Sequence, residues 1–174
     1  DLFLLDTDTE TSYQERRVER RSVYWGQRKL ALTTLAMINF YWNPDKIPNP
    51  VFVYAGACPG ENLNFIFTLF PGINWTWHLY DTADCQLKLD PAQARKVSYH
   101  KEYFTDQIAQ EWADQQKRDH NIFFISDIRT INSRSRQLSK EDIEIGIWED
   151  MINQQEWVQI IKPVAAMLKL RFPY

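Results

Sequence analysis

The stretch YAGACPGEN, Tyr54 to Asn62, packs small residues and a proline into a loop that follows the apolar run VFVYA. Small residues at Gly56, Ala57 and Gly60 let main chain approach a ligand closely, and a helix starting after the loop would aim its first amides at that ligand. What the loop lacks narrows the ligand. A phosphate loop needs a lysine and a hydroxyl residue after its second glycine, and a dinucleotide loop usually carries a third glycine. Here Pro59 and Glu61 stand instead, and a carboxylate repels phosphate. S-adenosylmethionine fits better, because its amino and sulfonium groups are cationic and only its carboxylate seeks backbone amides. Asp81, twenty-five positions after Gly56, is placed to accept hydrogen bonds from a ribose diol. The competing reading is a plain strand-to-helix turn.

Three further segments carry charge among apolar residues. WGQRKLAL holds Lys29, ISDIRT holds Asp127 and Arg129, and PVAAMLKLRFPY holds Lys169. Each has a bland alternative: a solvated helix lysine, a carboxylate capping the next element, a lysine snorkelling from an edge strand. ERRVERR, Glu15 to Arg21, reads as a solvated helix face rather than an RNA clamp, and RTINSRSR, Arg129 to Arg136, as a mobile loop. His78, His100 and His120 show no ligand spacing, so no metal is expected. The two cysteines, Cys58 and Cys85, suggest neither a disulfide framework nor a metal site, and point to a reducing compartment.

The elements that must position these residues alternate along the chain. Trp25 to Trp42 has apolar residues at helical spacing and closes in the proline-punctuated NPDKIPNP. Val51 to Ala55 reads as a buried strand, Asn62 to Phe70 as a helix stopped by PG, and Thr76 to Tyr80 as a second strand leading into Asp81. Tyr103 to Lys117 reads as helix, Asn121 to Ser126 as strand, Lys140 to Ile160 as helix and Val164 to Leu170 as strand. Fully apolar strands interleaved with helices imply an α/β fold, a doubly wound and mostly parallel sheet covered on both faces. A chain of 174 residues with 44% hydrophobic content can fill one such core. The expected division is a polar segment over 1–24 and a domain over 25–174. A net charge of −3 argues against tight, sequence-blind binding to nucleic acid. No apolar run approaches a membrane span.

GQxKL at Gly26, YxGxxPG at Tyr54, ISDIR at Ile125 and PVAxxLKxRxP at Pro163, in this order, resemble the poxvirus-type cap-specific mRNA (nucleoside-2'-O-)-methyltransferase family, whose members also serve as small subunits of a viral poly(A) polymerase. The resemblance runs from about Tyr24 to Tyr174, is weakest between Thr82 and His120, and suggests a relative from another large DNA virus. It implies a Rossmann-like methyltransferase fold that uses S-adenosylmethionine, and a Lys-Asp-Lys-Glu tetrad of which Lys29, Asp127 and Lys169 are the first three members. The implied Glu would lie beyond Tyr174, so the sheet is expected to lack its last strands. On the same basis Lys169 accepts the proton of the ribose 2'-hydroxyl while that oxygen attacks the methyl group. A lysine at its ordinary pKa of about 10.4 is almost wholly protonated at pH 7, so such a role needs a neutral amine.

The resemblance also carries cofactor contacts to Gln27, Gly56, Ala57, Pro59, Gly60, Asp81 and Asp127, with Phe104 near the adenine. Where the family has an arginine two positions after the ribose-binding acid, this chain has Ala83. Tyr174 and Tyr13 are the implied rings around the methylated guanine of the cap, which suits aromatic faces because it is cationic. The implied partners are capped mRNA and the catalytic subunit of a viral poly(A) polymerase, with no membrane, in the host cytoplasm or the virion. A non-catalytic cap- or RNA-binding processivity subunit is one alternative function. A small-molecule methyltransferase is another, but it gives Lys29 and Lys169 no joint role.

Overall fold

The computed structural model describes residues 21–131 and 138–170. In chain order the elements are α1 (Arg21–Tyr41), β1 (Val51–Ala55), α2 (Glu61–Leu69), β2 (Thr76–Tyr80), the single turn α3 (Pro91–Ala94), β3 (Val97–His100), α4 (Asp106–Asp119), β4 (Ile122–Ser126), α5 (Lys140–Ile161) and β5 (Ala165–Leu168). Five strands form one sheet in the order β3-β2-β1-β4-β5. Every pairing among the described residues is parallel, as a Rossmann-like methyltransferase fold requires.

The central strands β1 and β4 are buried along their whole length, and period-two alternation explains why both faces are apolar. Phe52 and Tyr54 of β1, Trp77 and Leu79 of β2, and Phe123 and Ile125 of β4 face a core completed by Met37 and Ile38 of α1 and Leu63, Ile66 and Phe67 of α2. Phe52 stacks on Trp77 at 4.2 Å there. Val51, Val53 and Ala55, Tyr80, Ile122 and Phe124 face the opposite core, closed by Ala109 and Trp112 of α4 and Trp157 and Ile161 of α5. Helices thus cover the sheet on both faces.

Two elements are absent from the sequence reading, β3 and α3. β3 has an exposed middle, and Val97 alone supplies an aliphatic side chain, so it carries none of the apolar run that marks the inner strands. α3 rests on a local device, the capping box between Asp90 and Gln93. α4 begins three residues later than expected, at Asp106, because the Thr105 hydroxyl caps it by accepting from Ile108 N–H. β5 stops at Leu168, one residue before the lysine that the sequence placed within the strand.

The cysteine reading is overturned. Cys58, in the loop after β1, and Cys85, in the segment after β2, form a disulfide with their Cα atoms 4.7 Å apart. β1 and β2 are neighbours, so chain leaving their ends meets at one edge of the sheet despite the long separation in sequence. The cysteine count therefore carries no argument for a reducing compartment. Among the described residues no helix is long and apolar enough to cross a membrane.

Candidate active site

Strand register builds the site. Ala55 of β1 lies level with Tyr80 of β2 and Ser126 of β4, and Ser126 is level with Leu168 of β5. The next residue of each strand is therefore released at the same height, and Asp81, Gly56, Asp127 and Lys169 form a row across the carboxyl edge. This edge, at the point where strand order reverses, is where ligands bind in open parallel sheets. The ladder runs one step into the row: Gly56 N–H donates to Tyr80 O at 2.8 Å and Asp127 N–H to Ala55 O at 2.9 Å.

Gly56 is required by its neighbours. Its φ is +74°, and a Cβ there would stand 2.9 Å from Asp127 C and Ile128 N, so β1 and β4 can end side by side only with glycine at this position. Gly60, at φ +78°, is the N-cap of α2 and lies against Leu87. Ala57 packs into the core. The sequence reading assigned these three residues to close ligand approach; they also satisfy constraints internal to the fold. The Cys58–Pro59 peptide is cis.

A cleft of about 410 Å³ lies over the row, lined by Gln27, Gly56, Pro59, Tyr80, Asp81, Tyr103, Phe104, Asp127 and Lys169 among others. Asp81 ties its floor together, accepting from Cys58 N–H through Oδ2 and from Ala83 N–H through Oδ1, each at 2.9 Å. Each oxygen keeps a lone pair for a ligand. The Tyr99 hydroxyl from β3 shares its one proton between the carbonyls of Asp81 and Ala83, so the overlooked strand braces the turn after β2. Gln27 reaches from α1 to the start of α2, where its Oε1 accepts from Asn62 N–H at 3.2 Å. Phe104 is 7% exposed and packs edge-on to Tyr80, so it reaches the cleft from within the core, while Tyr103 is 68% exposed at its rim.

A second cavity, of about 720 Å³, opens beside the first and shares Gln27, Asp127, Arg129 and Lys169 with it; Lys29, Ser126 and Met167 line it further. Here Lys169 Nζ lies 2.6 Å from Asp127 Oδ1 and 3.4 Å from Asp127 O. Lys29 enters from α1 and lines the same cavity. Burial pushes the Asp127 carboxyl above the usual carboxylate range, against the pull of Lys169 and Arg129. Beneath the row, burial chiefly and the Asp127 charge in addition hold the Tyr54 phenol well above its ordinary value. Lys29, Asp127 and Lys169, three residues far apart in sequence, thus share one cavity adjoining the cleft.

The lining suits S-adenosylmethionine: three carboxylates, of Asp81, Glu102 and Asp127, face a cleft walled by loop backbone and aromatic rings, matching a ligand with cationic groups, a diol and an adenine. Among the described residues no group of three or more His, Cys, Asp or Glu could hold a metal ion. Tyr13 and Tyr174, the expected cap-binding rings, lie outside the described residues.

The family model described as poly A polymerase regulatory subunit matches residues 2–174. A cap-specific mRNA (nucleoside-2'-O-)-methyltransferase of Fowlpox virus (strain NVSL) is 30% identical over 152 residues, which cover 86% of this chain and 47% of the relative. The chain spans about half the length of the curated relative it matches.

Proposed function

The chain belongs to the poly A polymerase regulatory subunit family, and from that premise we propose that it methylates the ribose 2'-hydroxyl of the first transcribed nucleotide of capped mRNA. The observation that carries this reading is the ion pair of Lys169 with Asp127, 2.6 Å long, between two adjoining cavities. One cavity carries acceptors that suit a cationic adenosine derivative, and the other is lined by Lys29 and Lys169.

S-adenosylmethionine, when bound, supplies the methyl group. Asp81 would accept hydrogen bonds from the ribose diol, the loop Gly56–Gly60 would pass close alongside, and Gln27 and Phe104 would close the sides. Lys169, paired as an ammonium at rest, takes the proton of the 2'-hydroxyl at Nζ after releasing its own proton to solvent. Asp127 holds that amine by its carboxylate and carbonyl, and Lys29 places a positive charge beside the acceptor. In-line positioning contributes most, because methyl transfer from a sulfonium neutralises charge rather than creating it.

The test is methyl transfer to short capped RNA by the full-length protein. Lys169→Ala is expected to lower kcat about 10²-fold or more, the range for loss of a general base, with cofactor affinity little changed. Undiminished transfer in that variant would rule the assignment out. The family description favours a second reading, a regulatory subunit of a poly A polymerase; on this reading the chain would bind capped RNA and a viral catalytic subunit. Cap-dependent RNA binding without turnover would select it.

A further inference from the structure

α5 turns one face toward both partners of the ion pair. Gly146, Asp150 and Gln154 are buried at a four-residue spacing, which stacks them on one side of a helix. Gly146 leaves room for Ile131, whose Cδ1 a Cβ there would meet at 2.6 Å. One turn on, the fully buried Asp150 accepts from the Thr130 hydroxyl at 2.6 Å and from Thr130 N–H at 3.1 Å. Its carboxylate is 3.9 Å from Arg129 Nη1. One turn further, the fully buried Gln154 accepts from Lys169 N–H through Oε1 at 3.0 Å. Its Nε2 donates to Lys169 O at 3.2 Å and to Asp150 O at 2.9 Å.

The geometry has a reason in the ladder. Alternate residues of a parallel strand face the same neighbour, and Val164 N–H donates to Ile122 O on the β4 side. Lys169 is out of phase with Val164 and turns its N–H and C=O away from β4. Both groups are taken by one side chain, and the Gln154 amide accepts and donates at that reach without having to be protonated. A fully satisfied buried polar network is stiff. The Asp127 loop and Lys169 are thereby referred to the same helix face.

We propose that Gln154 is a positioning residue: by clamping the Lys169 backbone to α5, while Asp150 holds the loop after Asp127, it sets the lysine ammonium against that carboxylate. Its kinetic consequence rests on the methyl-transfer reading; its geometric consequence does not. The test compares the full-length protein with Gln154→Met, matched in length but unable to accept or donate as the amide does, and with Gln154→Asn, which is polar but too short to span both groups. Carbon-13 NMR follows the Asp127 carboxyl, and capped-RNA assays follow kcat and KM.

With Lys169 released, the Asp127 titration midpoint is expected to rise by about one unit, since a nearby cation lowers a carboxyl pKa by that much or more. Loss of alignment is expected to lower kcat about tenfold, with KM for S-adenosylmethionine within about twofold. An unchanged Asp127 midpoint in a folded variant overturns the proposal, as does failure of both variants to fold, which would make Gln154 a structural core residue. If the unaltered protein transfers no methyl group, the methyl-transfer reading falls and the carboxyl titration alone decides the positioning claim.

Discussion

At the scale of single residues, the row at the sheet edge is held by side chains that answer to one another before any ligand arrives. Asp127 is drawn toward neutrality by burial and toward ionisation by Lys169 and Arg129, so its charge depends on the lysine staying in place. Gly56 decides whether the row exists. Gly56→Ala forces an L-residue to φ +74° against the backbone of Asp127 and Ile128. The left-handed conformation and the clash together are expected to cost roughly 2–3 kcal/mol, measured by denaturant unfolding. Binding of S-adenosylhomocysteine, followed by calorimetry, should weaken as well, because Asp127 must shift. YAGACPG announced a special backbone, but its partner, Asp127 at the end of β4, is 71 positions from Gly56 and leaves no mark in the motif.

At the scale of elements, the loop after β1 is fastened to the segment after β2 by the Asp81 carboxylate on Cys58 N–H, by Gln86 N–H donating to Pro59 O, and by the disulfide to Cys85. The bridge closes a separation of 27 residues. Loop-closure entropy for that length gives about 3.5 kcal/mol. Cys85→Ser is therefore expected to lower unfolding free energy by about that amount, and reductant should lower the unaltered protein to the same level. Equal stability of the two proteins with and without reductant would show that the bridge contributes nothing. Helix ends were legible to within a few residues because proline, PG and cap residues mark them locally, as at Ser139 before α5. The bridge and β3 were not, because both arise where separate segments meet.

At the scale of the whole molecule, packing on the α4 face makes the fold sensitive to acid. His78 of β2 lies between His100, with ring nitrogens 3.2 Å apart, and Trp112, 4.6 Å away between ring centroids; Glu102 lies 3.9 Å from the far side of His100. Burial first, and His100 second, push the His78 imidazole down to about 4 from its ordinary 6.5. The folded protein therefore favours neutral His78, and stability present above pH 6.5 is lost as pH falls toward 4. Because the ring is only partly shielded from solvent, the loss is expected to be roughly 1 kcal/mol. Scanning calorimetry should find a smaller acid-induced drop in Tm for His78→Gln than for the unaltered protein. An identical drop would place the sensitivity elsewhere. By itself the sequence determined the fold class and marked the loop after β1 as a special backbone, because apolar periodicity, proline and glycine act over a few residues and two-sided burial of strands admits few architectures. It also named Lys29, Asp127 and Lys169, through motifs rather than physics. Only the tertiary structure decided that Asp81, Gly56, Asp127 and Lys169 stand in one row, that Cys58 meets Cys85, and that Gln154 clamps Lys169, since strand register and the seating of α5 on the sheet are pairings between distant segments that no local pattern encodes.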